Sequence, residues 1–143
     1  MRKGFRIFPH TSEAGLEITA RDWPSFYRNA AAGLLALYGL GPSRSHLPEG
    51  AEEVRRSFEA QTPEDLLVCW LSELIFLIET ERRVPRKIDF LEAGPKALRA
   101  RLHGDRPREN RLPLAREIKA VTYHGLKVEN KRGLIKARVI LDV

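Results

Sequence analysis

Asp142 and Val143 place a side-chain carboxylate and the terminal carboxylate on adjacent residues, directly after the apolar run Val139-Ile140-Leu141. Groups of like charge at that spacing repel, and a third carboxylate such as Glu13 would sharpen the conflict unless a cation sat among them. Oxygen donors of this kind suit a hard divalent ion: calcium, magnesium or manganese. The plainer alternative is a frayed, solvated chain end. A second polar group lies in Lys119-Ala120-Val121-Thr122-Tyr123-His124-Gly125. Side chains alternate along a strand, so Lys119, Val121 and Tyr123 share one face and Ala120, Thr122 and His124 the other. Both faces then carry groups that donate hydrogen bonds or titrate, where a core strand keeps one face apolar. Either the tips simply reach solvent or the strand presents a polar site. Glu73, inside an apolar helix, lies either on a solvated stripe or buried beside a cation such as Lys119.

Much other chemistry lacks its signature. The chain has no phosphate-binding glycine loop, no dinucleotide fingerprint, no cysteine pair with zinc spacing and no G-x-S-x-G elbow. The single cysteine, Cys69, falls in the six-residue apolar run Leu66–Leu71 and is expected to be a small buried hydrophobe. That run is far too short to span a membrane, and no apolar signal region follows Arg2 and Lys3, so the expected location is the cytoplasm.

The chain is 143 residues long, which suits one domain with a real core. Its net charge of +6 is unevenly spread. Residues 62–81 carry five acids and no Lys or Arg, whereas residues 96–119 carry eight basic side chains against three acids. The second segment, with Arg99, Arg101, Arg106, Arg108 and Arg111, could attract RNA or an acidic partner. It could equally be a solvated loop with strand edges blunted by arginine.

These groups must be positioned by short elements. Strands are predicted at 4–8, 16–20, 53–60, 87–93, 97–103, 117–124, 126–129 and 134–141. Asp22 followed by Pro24 reads as the start of a helix whose apolar stripe runs Trp23, Phe26, Tyr27, Ala30, Leu34, Leu37 and Tyr38, ended by Gly39. Thr62-Pro63-Glu64-Asp65 starts a second helix that is apolar nearly all round and is expected to be buried. The expected class is α+β: a two-layer sandwich of mostly antiparallel or mixed sheet with both helices packed on one face.

Four blocks carry a resemblance that spans nearly the whole chain. His10-Thr11-Ser12-Glu13-Ala14-Gly15 resembles the H-T-A-D-x-G turn of the archease family, and Trp70-Leu71-Ser72-Glu73-Leu74 its W-L-N-E-L helix. Lys119–Gly125 resembles its K-A-x-T-Y-H-x strand, and Val139-Ile140-Leu141-Asp142-Val143 its V-I-L-D-hydrophobic ending. The resemblance implies a small α+β protein that is not itself a ligase. It would instead activate an RtcB-type RNA ligase of tRNA splicing and RNA repair, promoting GMP transfer from GTP to the ligase and repeated turnover. It implies Glu13, Asp142 and Val143 as metal ligands, Glu73 and Lys119 as further required polar groups, and His10 and His124 flanking the same site. GTP would be used by the ligase and not by this chain. Three positions depart from the family pattern. Glu13 stands where the family has Asp and is one methylene longer, Ser12 replaces its small Ala, and Ser72 stands for Asn. The alternative function is a basic RNA-binding module that delivers RNA to a processing enzyme through the arginines at 99–116. A metal-dependent hydrolase on Glu13 and Asp142 would lack a nucleophile or general base.

Overall fold

The elements follow the order β1 (Phe5–Pro9), β2 (Glu13–Ala20), α1 (Trp23–Tyr38), β3 (Glu52–Glu59), α2 (Pro63–Glu79), β4 (Val84–Ala93), β5 (Ala97–Asp105), β6 (Ala120–Thr122), β7 (Val128–Lys131) and β8 (Leu134–Asp142). They come from a computed structural model that describes residues 4–9, 12–41, 52–105 and 112–143. Both helix starts follow from local chemistry. Asp22 accepts the Ser25 N–H at 2.8 Å and Thr62 accepts the Asp65 N–H at 3.1 Å, so each side chain satisfies a donor that the first turn leaves open. Gly39, at φ 75°, ends α1 in the left-handed conformation that other residues resist.

The Ser25 N–H holds the Asp22 carboxyl below its ordinary value of 3.8. A depressed folded-state pKa means that the charge-dependent part of the cap is fully present above 3.8 and is lost as pH falls through the folded-state value. Asp22→Asn keeps an oxygen acceptor but does not titrate. In urea unfolding the wild type should be the more stable above pH 3.8, and the gap should close on acidification.

The α+β class holds, and every strand pair is antiparallel. The single expected sheet is in fact two. One runs β1-β2-β8-β6, with β7 also paired to β8; the other runs β3-β5-β4. The helices bury the inner faces of both, with α1 packing on β1, β2 and β4 and α2 on β3, β4 and β6. One core results. In β8 the buried Ile135, Ala137, Val139 and Leu141 alternate with exposed Lys136, Arg138 and Asp142, and β2 buries Ala14, Leu16, Ile18 and Ala20 in the same way. Trp70 stands at the centre, fully buried, with Nε1–H donating to the Tyr27 carbonyl at 3.0 Å. Rings of Tyr27, Phe58 and Phe90 surround it at centroid distances of 5.9–6.5 Å.

Two further expectations change. Helix α2 is not buried all round: Asp65, Cys69, Ser72 and Phe76 recur at spacings of three and four, and the last three are exposed. Phe76 is 44% exposed, and Cys69 is therefore an exposed thiol, not a core residue. The strand expected at 117–124 keeps only Ala120–Thr122 in the ladder. Residues 112–119 instead run as irregular chain alongside the C-terminal end of α2.

Glu79 ties that segment down. Its Oε2 accepts both the Ile118 N–H and the Tyr38 hydroxyl at 2.8 Å, and burial together with this carboxylate pushes the Tyr38 hydroxyl far above its ordinary pKa. Glu79→Ala would orphan two partly buried donors and cost about 2–3 kcal/mol in urea unfolding. It should also raise amide exchange at Ile118 and Lys119.

Candidate functional site

Three of the four sequence blocks converge at one end of the β1-β2-β8-β6 sheet. Glu13 and Asp142 are direct register partners across β2 and β8, and Ala120 of β6 is the partner of Asp142 on its other side. The Lys119 N–H donates to the Asp142 carbonyl at 2.8 Å, and the Val143 N–H donates to the Ser12 carbonyl at 3.4 Å. Cross-strand partners project to the same face, so two carboxylates stand side by side, about 5 Å apart at Cβ. Like charges so placed disfavour the pair unless something positive intervenes. Asp142 is exposed and Glu13 half-buried, and no ion pair neutralises either among the described residues.

The pairing is built by burial on the opposite face. Ala14 and Leu141, which flank the carboxylates in sequence, are buried and in register with each other. A slip of one residue would turn both carboxylates into the core, so the hydrophobic alternation of two distant strands sets the site. Next to it lies a row of Phe8, Gly15, Ile140 and Thr122 across four strands. A Cβ at Gly15 would fall inside the Phe8 ring, which gives this glycine a packing reason in addition to its place in a turn motif.

The other expected site residues divide. Lys119 joins the carboxylate end through its backbone and is exposed. Glu73 does not pair with Lys119. Its Oε1 accepts from Arg56 Nε at 2.7 Å, because the alternation of β3 turns Arg56 inward toward α2. His124 lies in the turn after β6, exposed, its N–H donating to Thr122 Oγ1 at 3.4 Å. Tyr123 reaches the first turn of α2 instead, where its hydroxyl donates to Asp65 Oδ1 at 2.8 Å. His10 lies outside the described residues, as do Arg106, Arg108 and Arg111.

Arg99 and Arg101 stand on the outer face of the other sheet, each in register with an acid: Glu92 for Arg99 and Asp89 for Arg101. That face is a mosaic of both signs, with His103 Nε2 at 3.1 Å from Asp89 Oδ2 and Arg55 at 3.1 Å from Glu53.

Among the described residues no group of three or more His, Cys, Asp or Glu side chains is arranged to hold a metal ion. The hard oxygen donors that stand together at this end are the paired side chains of Glu13 and Asp142. No helix of the described residues is long and apolar enough to cross a membrane.

Comparison with known proteins places these features in context. Residues 5–143 match the Archease protein family (MTH1598/TM1083). The chain is 34% identical over 149 residues to the protein archease of Methanothermobacter thermautotrophicus, covering 99% of each chain. It is 38% identical over 147 residues to that of Methanosarcina mazei, covering 99% of this chain and 97% of the relative. The solution structure of Methanobacterium thermoautotrophicum protein 1598 matches with a TM-score of 0.72 at 32% identity, covering 99% of this chain and 100% of that one. A Thermotoga maritima crystal structure described as an archease, possible chaperone, shares the fold with a TM-score of 0.64 at 24% identity, covering 100% of this chain and 98% of that one.

Proposed function

Because the chain belongs to the archease family, we propose that it is an accessory activator, not itself a ligase, of an RtcB-type RNA ligase in tRNA splicing and RNA repair. In this reading it promotes transfer of GMP from GTP to the ligase and supports repeated turnover. The observation that carries the reading is the register of Glu13 with Asp142, with Lys119 hydrogen-bonded to the Asp142 backbone. Segments more than 100 residues apart bring their polar groups to one exposed sheet end, while the alternate residues of β2 and β8 are committed to the core.

Glu13, Asp142 and Val143 would hold a divalent ion there: calcium, magnesium or manganese. Bound, it would supply concentrated positive charge to a partner's phosphates or nucleophile. Lys119 adds a flexible cation beside the carboxylates. A charge held ready on a rigid sheet acts by preorganisation, which needs no nucleophile on this chain. Glu73 contributes at a distance, since its bond to Arg56 fastens α2 to β3.

The test is ligase–GMP formation by an RtcB-type ligase from the same source, with GTP and manganese and with substoichiometric amounts of this protein. Acceleration with turnover supports activation. No acceleration across metals and ratios, with the ligase itself competent, sinks it.

A further inference from the structure

We propose that the outer face of the β1-β2-β8 sheet carries a phosphate-binding site, built on Arg138, Lys136 and Lys127, that takes the phosphates of a nucleotide or of single-stranded RNA. This goes beyond the activator reading and stands without it. It uses residues two register steps and more from the Glu13–Asp142 pair.

The outer face is polarised along its length. One end bears Glu13 and Asp142; the other bears Arg6, Lys127, Lys131, Lys136 and Arg138 against Glu17 and Glu129, five cations to two carboxylates. Both carboxylates are already shared. Glu17 takes Arg6 at 3.3 Å through Oε2 and Lys136 at 3.9 Å through Oε1. Glu129 takes Lys127 at 3.5 Å and Lys131 at 3.7 Å. Arg138, the register partner of Glu17, is left with no carboxylate among the described residues.

Arg138 is nevertheless held in place. Its guanidinium carbon sits over the Phe8 ring, 4.0 Å from the centroid, and Phe8 in turn rests on Gly15. Held over the ring by its central carbon, the guanidinium is restricted in position while its N–H fork can still donate to an oxyanion. Beside it lies a groove of about 420 Å³ lined by Glu17, Gly125, Lys127, Glu129, Lys136 and Arg138. That volume falls in the range of small-ligand sites. The groove is open, and five of the residues that line it are charged, as befits a phosphate more than an apolar ligand. The outer face of the β3-β5-β4 sheet lacks this excess, since Arg55, Lys87, Arg99 and Arg101 there stand against Glu53, Glu59, Asp89 and Glu92.

The proposal is tested by fluorescence anisotropy on the full chain, with a labelled single-stranded RNA of roughly ten nucleotides as probe and GMP and inorganic phosphate as competitors. The expected result is binding that weakens with salt. Arg138→Gln should lower affinity about tenfold and reduce the salt slope by about 0.7, the share of one phosphate contact to a single strand. Lys136→Gln should do likewise, Glu17→Gln should tighten binding, and Arg99→Gln should leave it unchanged. Displacement of the probe by GMP would identify a nucleotide as the source of the phosphate, and binding of the RNA probe that GMP does not displace would identify the RNA backbone. Wild-type affinity in both Arg138→Gln and Lys136→Gln, with melting temperatures preserved, would overturn the site. So would the absence of binding by RNA and GMP alike at low salt. Ligase stimulation is not part of this readout, so failure here leaves the activator reading standing, and failure of that reading leaves this one.

Discussion

Asp142→Ala is expected to abolish stimulation of the ligase, a loss on the order of a hundredfold in the rate of ligase–GMP formation, while the protein stays folded. The two effects separate because they use different atoms of one residue. The Asp142 carbonyl accepts the Lys119 N–H and its backbone completes the β2–β8 ladder, and alanine keeps both. The carboxylate faces outward beside Glu13 and contributes nothing to the core. Its removal relieves a cross-strand repulsion, so stability should change by no more than about 0.5 kcal/mol and in the favourable direction. Lys119→Ala should give the same pattern, since Lys119 is exposed and its own tie to the sheet is through the main chain. Unfolding in urea and ligase guanylylation, measured on the same preparations, check both halves. Stimulation at the wild-type level by either variant would show that the carboxylate end is not the working surface. Glu13→Asp is the informative companion. Equal stimulation by the shorter side chain would mean that the methylene that distinguishes this chain is tolerated by the site, and stronger stimulation that it costs function.

The largest stability effect should come from Trp70→Ala, about 3–5 kcal/mol. Trp70 has no exposed surface and meets three aromatic rings, and its indole N–H is bonded to the Tyr27 carbonyl. Alanine would empty that space, forfeit the ring contacts and remove the indole bond that the Tyr27 carbonyl accepts in addition to its helical one. The site should suffer along with the fold, because Trp70 couples α2 to α1 and to both β3 and β4. Trp70→Phe would restore much of the volume but not the donor, and should fall between the two. Chemical denaturation gives the comparison directly. A loss below about 1 kcal/mol for alanine would mean that the aromatic cluster is not the keystone of the core.

What was legible in the residues alone was whatever short-range chemistry decides. Both helix starts could be read because a cap is a contact over three residues, and Asp22 and Thr62 each bond the N–H three positions on. The alternating burial of β2 and β8 follows from their own side chains. The four sequence blocks also pointed correctly to the family, which residues 5–143 match. The number of sheets was not legible, because nothing local tells β3 to pair with β5 and not with β8. The exposure of Cys69 was missed for a related reason: an apolar helix is buried only where a partner covers it, and α2 leaves the Cys69–Phe76 stripe open. Glu73 illustrates the same limit from the polar side. A half-buried carboxylate required a cation, but which one depended on the inward face of β3, and Arg56 took the place imagined for Lys119.

The carboxylate pair and the Phe8–Arg138 stack lie on the same boundary. Composition announced carboxylates at both ends of the chain, but only the antiparallel register sets Glu13 beside Asp142 and Phe8 under Arg138, across separations of well over 100 residues. The amino-acid order by itself determined which residues are apolar at period two or near four, where helices begin, and which polar groups were available. The tertiary structure decided which of them meet. Register is a collective outcome: it is chosen by burying Leu16, Val139, Leu141 and their neighbours all at once, and the outward-facing side chains are carried into place by that choice.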